Sequence, residues 1–237
     1  MKKIIVFPVF LFIIINLSVA QIKTREAGNF YASAGYSFIF FTNSDVTNIY
    51  PILDFRRNSM LSELDLEAGF QFNKNIAIAF NPGLIYSNSS PKDGFYFRSN
   101  GTNNFYFPNT ASLFAAPINA KIKLFPFANN KSVFADGFFF GLSAGAMYIY
   151  EQYDNTIYDN NGLNRNVIGF KTVSENYFKP DMMISTGFDA KGSFGFGFEL
   201  GYRFVPLKTG STVPVITSVA SNFNSVNLMV KIGFRFY

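Results

Sequence analysis

The sequence predicts an all-β fold, a membrane-spanning antiparallel up-and-down β-barrel of eight strands with short turns at one end and long loops at the other. Three observations predict it. Apolar residues recur at every second position in segment after segment, the period of a two-faced strand. No apolar stretch beyond residue 20 approaches the roughly 20 residues of a helical span, so a membrane protein built from the rest must cross by strands that close on themselves. Short connections alternate with long ones, as in a meander that closes. A chain of 237 residues with 49% hydrophobic and 15% charged residues is neither disordered nor collagen-like, and its length suits one domain.

The chain opens with a segment of its own. Met1-Lys2-Lys3 is a short basic start, residues 4–17 are almost wholly apolar, and Ser18-Val19-Ala20 supplies small residues at a cleavage position. This predicts a signal peptide over residues 1–20, cleaved after Ala20, with the barrel domain over 21–237. The competing transmembrane anchor would be short and would contain Pro8. Of the formal charge of +5, two units belong to Lys2 and Lys3, and no basic run follows, so nucleic acid is not an expected partner.

The strands follow in order. Phe30, Ala32, Ala34, Tyr36, Phe38 and Phe40 alternate with Tyr31, Ser33, Gly35, Ser37 and Ile39. Next, Ser62, Leu64, Leu66, Ala68, Phe70 and Phe72 oppose Glu63, Asp65, Glu67 and Gln71. Further strands are expected at 76–87, 112–125, 133–150 and 180–190. The clearest alternation is Phe194, Phe196, Phe198, Leu200, Tyr202 and Phe204 against Gly195, Gly197, Glu199, Gly201 and Arg203. The last strand sets Val226, Leu228, Val230, Ile232, Phe234 and Phe236 against Asn227, Met229, Lys231, Gly233 and Arg235. Helical periodicity is absent throughout.

Residues 73–75, 126–131 and 191–193 are tight connections, and both termini fall at their end of the barrel. The long connections, 42–58, 88–111, 151–179 and 206–222, are rich in Asn, Ser, Thr, Asp and Tyr. Two contain hairpins that carry strands beyond the membrane. Phe95-Tyr96-Phe97 and Phe105-Tyr106-Phe107 flank Ser99-Asn100-Gly101-Thr102, and Asp159-Asn160-Asn161-Gly162 turns between strand-like arms.

Two-faced strands leave open which face is inside, and a soluble lipocalin-like barrel would put the apolar face there. Six large apolar groups per strand would overfill an eight-stranded interior, whereas the glycines among the charges suit a crowded lumen. The apolar set, including Phe194, Phe196, Phe198, Leu200, Tyr202, Ile232, Phe234 and Phe236, is therefore expected to face lipid. Inside, Glu63, Asp65, Glu67, Asp181, Asp189 and Glu199 meet Lys121, Lys123, Arg203, Lys231 and Arg235, with Lys191 at a turn. Balanced charges in a narrow interior should pair, because an isolated buried ion is costly, and the pairs would plug the lumen. The functional alternatives for these residues are an ion or solute pathway, or paired-carboxylate catalysis by Glu63 with Asp65 or Glu67. Aromatics at strand ends suggest two interfacial girdles: Phe70, Phe72, Phe125, Phe127, Phe134, Phe234 and Phe236 toward the turns, and Tyr86, Tyr148, Tyr150 and Phe204 toward the loops.

With no Cys and no His, the chain can form no disulfide, no thiolate nucleophile, no Ser-His or Cys-His pair and no usual zinc site. No catalytic, cofactor-binding or metal-binding residue is expected.

Two stretches carry a resemblance: Ala116-Pro117-Ile118-Asn119-Ala120-Lys121-Ile122-Lys123-Leu124, and the closing Lys231-Ile232-Gly233-Phe234-Arg235-Phe236-Tyr237. With the strand pattern they resemble small outer-membrane barrels of the OmpA-like and OmpX-like kind, especially the Bacteroidota barrel family that includes PorT-like proteins. The resemblance implies the outer membrane of a diderm bacterium, with loops outside and turns and termini in the periplasm. Implied partners are outer-membrane lipids and lipopolysaccharide, the barrel assembly machinery, for which the closing strand looks like the recognition signal, and an extracellular ligand of the loops. Related barrels that are enzymes use a catalytic His, which this chain lacks. The expected function is thus a non-enzymatic cell-envelope barrel with a plugged lumen, serving envelope structure or surface interaction and adhesion through Phe95, Tyr96, Phe97, Phe105, Tyr106 and Phe107. The alternatives are a narrow channel for small solutes or ions, and an accessory role in protein secretion or surface assembly.

Overall fold

The computed structural model describes residues 27–43, 61–89, 95–99, 102–106, 108–158, 167–190, 194–207 and 221–236. The expected signal peptide, the turns at 159–162 and 191–193, and most of the first and last long connections lie outside them.

Alternation turns directly into strands: β1 (Phe30–Phe41), β2 (Leu61–Asn73), β3 (Ile76–Ser89), β4 (Phe95–Ser99), β5 (Thr102–Tyr106), β6 (Pro108–Leu124), β7 (Phe138–Tyr158), β8 (Val167–Asp189), β9 (Phe194–Phe204) and β10 (Ser225–Phe236). Eight of them close a barrel in the order β1-β10-β9-β8-β7-β6-β3-β2, every pairing antiparallel. Apart from the inserted β4–β5 hairpin, each strand lies beside its neighbours in sequence, and β1 meets β10 to remove both edges. At the β2–β3 turn the Asn73 side-chain oxygen accepts from Asn75 N–H (2.8 Å) and Ile76 N–H (2.9 Å), the local bond that makes Asn a turn residue.

Two connections depart from a bare meander. The expected hairpin at 95–106 forms as a separate two-stranded sheet, with Ser99 opposite Thr102, so Asn100-Gly101 is the two-residue link. β7 and β8 stay paired up to Tyr158 and Val167, well above the point where β9 leaves β8 at Met182–Phe204. The strand expected at 133–150 starts late. Its first five residues form a short helix, α1 (Val133–Gly137), capped by the Ser132 hydroxyl, which accepts from Ala135 N–H. One turn of helix is too short to show a 3.6-residue period.

The faces sort by polarity. Phe194, Phe198, Leu200, Ile232, Phe234 and Phe236 point outward and are 46–61% exposed, while Phe196 and Tyr202 are partly covered by neighbours. The alternate residues fill the lumen. Phe125, expected in a girdle, is one of these and is buried, because it continues the inward series Lys121, Lys123, Phe125.

Candidate functional site

The inward positions stack in layers. Nearest the turns, Ala77, Phe125 and Phe139 form an apolar cluster with Tyr31 and Ala128 against it. Toward the loops the buried inward residues are mostly apolar, Ile39, Ile85, Leu113, Met147 and Ile149, with Phe41 and Phe223 in ring contact at 4.2 Å, and among them lie the polar Ser225 and Asn227 and, two residues beyond Ile149, the buried carboxylate of Glu151. Between these ends lie most of the interior charges, in two tiers.

The turn-side tier draws on five strands. Lys121 reaches Glu199 at 2.6 Å and Glu67 at 3.4 Å. Lys123 pairs with Glu67 and, at 2.7 Å, with Asp189. Lys231 touches Asp189 at 2.8 Å, Glu199 at 3.2 Å and Glu67 at 4.0 Å. Three ammonium groups thus share three carboxylates, each ion with at least two opposite partners. The aromatic layer closes this tier from below: Lys231 and Lys123 sit 4.8 and 4.9 Å from the centre of the Phe139 ring, and Lys123 lies 5.3 Å from that of Tyr31. Space is tight enough to select glycine, since a Cβ on Gly197 would lie 2.7 Å from the Asp189 carboxylate and 2.9 Å from the Lys231 chain.

Among the described residues the loop-side tier has one cation. Arg203 grips Glu63 through two parallel bonds of 2.7 and 2.9 Å and lies 3.4 Å from Asp181 through Nε. Asp181 also accepts from the Asn119 amide at 2.8 Å. Asp65 has no ion pair among the described residues; Asn81 donates to it at 2.6 Å and to the Leu66 carbonyl at 2.7 Å. Asn81 and Asn119, which the sequence reading did not single out, therefore take the places of missing cations. Their signal was positional, both falling on the inward register of β3 and β6.

Arg235 stands apart. It is half-buried near the turn end, its guanidinium 5.8 Å from the Tyr31 ring centre, and makes no ion pair among the described residues. Among the described residues four cations meet the six expected acids in the two tiers, with amides serving the remaining acceptors, and Lys191, the sixth expected base, lies outside the described residues. The adjacent carboxylates Glu63, Asp65 and Glu67 are engaged separately, with Arg203, Asn81 and the lysines, which leaves no carboxylate pair sharing one reactive position. No cluster of three metal-ligating side chains occurs among the described residues. A recess lined by Tyr31, Ser33, Gly195, Asp189, Lys231 and Arg235 opens at the turn end and reaches the turn-side tier. Of the aromatic loop residues, 95–97, 105 and 106 lie on the β4–β5 hairpin, and Phe107 lies outside the described residues.

No family model and no curated protein matches the chain. Among solved structures, the chain is similar to Ail, the attachment invasion locus protein of Yersinia pestis, at 10% identity over 89% of this chain and 99% of that one, TM-score 0.48. Neisserial surface protein A is similar at 13% identity, over 88% and 99%, TM-score 0.45. OprG, an outer membrane protein from Pseudomonas aeruginosa, is similar at 10% identity, over 92% and 100%, TM-score 0.46. At such identities function has to be argued from the residues themselves.

Proposed function

We propose that this chain is a non-enzymatic barrel of the outer membrane, its lumen plugged by ion pairs, which presents its long connections as a surface for envelope interactions or adhesion. One observation carries the reading: charged side chains are buried inside the wall while a continuous apolar surface is exposed outside it. In water this inversion would leave dozens of large apolar groups wet; in lipid both faces are matched. The dimensions agree, since eleven residues of β9 at about 3.3 Å each and a tilt near 40° rise about 28 Å, close to the apolar band of such barrels. The turns then lie on the periplasmic side, and the β4–β5 hairpin and upper β7–β8 ribbon project outward, where loop ligands and lipopolysaccharide would be met. Narrower kinship with PorT-like barrels rests on the proline-plus-lysine strand and the closing strand.

The test is electrophoresis of detergent-purified protein with and without boiling, alongside Phe198→Arg. The reading expects a heat-modifiable band and a refolding cost of about 2 to 4 kcal/mol for the variant. A protein soluble without detergent and indifferent to the substitution would overturn it. A narrow channel is the second reading, favoured by the recess that reaches Asp189 and Lys231 from the turn end; conductance in a lipid bilayer would promote it.

A further inference from the structure

The connection between β6 and β7 is more elaborate than a reverse turn. Ser132 caps α1, and the buried Asp136 carboxylate turns back to accept the Asn129 N–H. That leaves Val133, Phe134 and, before them, Phe127 exposed, Phe134 by 70%. Phe134 and Phe127 lie against the outside of the barrel wall. Phe188 is an outward residue, in register with Phe138 and Phe198, yet it is only 3% exposed. Phe134 covers it at 5.2 Å between ring centres, with Phe196 and Phe198 at 5.9 Å each. On the other side Phe127 lies 6.1 Å from Phe138, whose ring meets Phe140 edge-on at 5.0 Å. The outward aromatic surface therefore runs without a break from the strands onto this connection, and the exposed Asn129, Asn130, Lys131 and Ser132 border it.

An apolar patch continuous with the lipid-facing wall and bordered by polar groups and one lysine fits the boundary between headgroups and acyl chains, where aromatic rings bury in the apolar side and a lysine reaches the polar one. We propose that α1 with the β6–β7 connection is an interfacial anchor, seated on the phospholipid surface of the leaflet at the turn end. The inference rests on the membrane-barrel reading above. Its occupant is lipid rather than a protein because the patch is an extension of the surface that lipid already covers.

The chain contains no Trp, so one introduced indole reports a single place. Full-length Phe134→Trp and, as a separate protein, Phe198→Trp are refolded into phosphatidylcholine vesicles whose acyl chains are brominated either near the carbonyl or near the methyl end. The anchor predicts that Phe134→Trp is quenched more strongly by the shallow bromines than by the deep ones and is shielded from aqueous iodide, while Phe198→Trp responds more to the deep bromines. Iodide quenching of Phe134→Trp with no response to either lipid, while Phe198→Trp still responds, would overturn the anchor, free the patch for a soluble partner and leave the barrel reading intact. Failure of both positions to respond to either lipid would remove the barrel reading and the anchor with it. Should Phe134→Trp lose the heat-modifiable band, Val133→Trp is measured by the same criteria.

Discussion

The two charged tiers of the lumen solve the same problem differently. On the turn side, three lysines and three carboxylates from five strands form a neutral, redundant set in which every ion keeps a partner if one contact is lost. On the loop side, Arg203 is the one cation among the described residues that faces Glu63 and Asp181, and the remaining acceptors are met by the amides of Asn81 and Asn119. A buried ion costs most when it is left single, so what matters is the number of alternative partners and not the number of bonds. The turn-side tier should therefore yield gradually to substitution and the loop-side tier abruptly.

The largest effect is expected at Arg203. Arg203→Met strands Glu63 and Asp181 and should cost about 3 to 5 kcal/mol in urea titrations of vesicle-refolded protein. Arg203→Lys should recover only part of it, because an ammonium cannot reproduce the two parallel bonds to Glu63. Lys121→Met comes next at roughly 1 to 3 kcal/mol, since Lys231 still holds Glu199 and Lys123 still holds Glu67. A Lys121 cost equal to that of Arg203 would show that redundancy confers nothing. Asn119→Leu, which removes a neutral donor from Asp181, should cost about 1 to 2 kcal/mol. Asp65→Asn is the smallest, within about 1 kcal/mol or stabilising, because the described side-chain partner of this carboxylate is an amide and not a cation. A large loss there would mean that Asp65 answers a cation the loop-side tier does not display.

How much of this was legible varies with the range of the contact. The period of two places Glu199, Arg203 and Lys231 on one face and Phe198 and Ile232 on the other, since that sorting needs only neighbours along a strand. Which acid meets which base was not legible, because Arg203 and Glu63 are 140 residues apart and come together only when β1 joins β10 and the barrel's stagger is set. Arg235 illustrates the limit: it shares the inward alternation of Lys231 but sits too near the turn end to enter the tier. Phe125 was legible in the alternation itself, two residues beyond Lys123, and its hydrophobicity suggested the wrong side. α1 was hidden for another reason, as Val133 and Phe134 are strand formers and a single turn held by Ser132 and Asp136 leaves no periodic trace.

In the proposed function the interior charges close the barrel within a membrane. Current recorded across a planar lipid bilayer containing the refolded protein decides whether they do. The plugged lumen predicts insertion without conductance steps, in protein whose heat-modifiable band shows that it is folded. Regular, reproducible steps from that same folded protein would contradict it and make the recess at Asp189 and Lys231 the mouth of a pore.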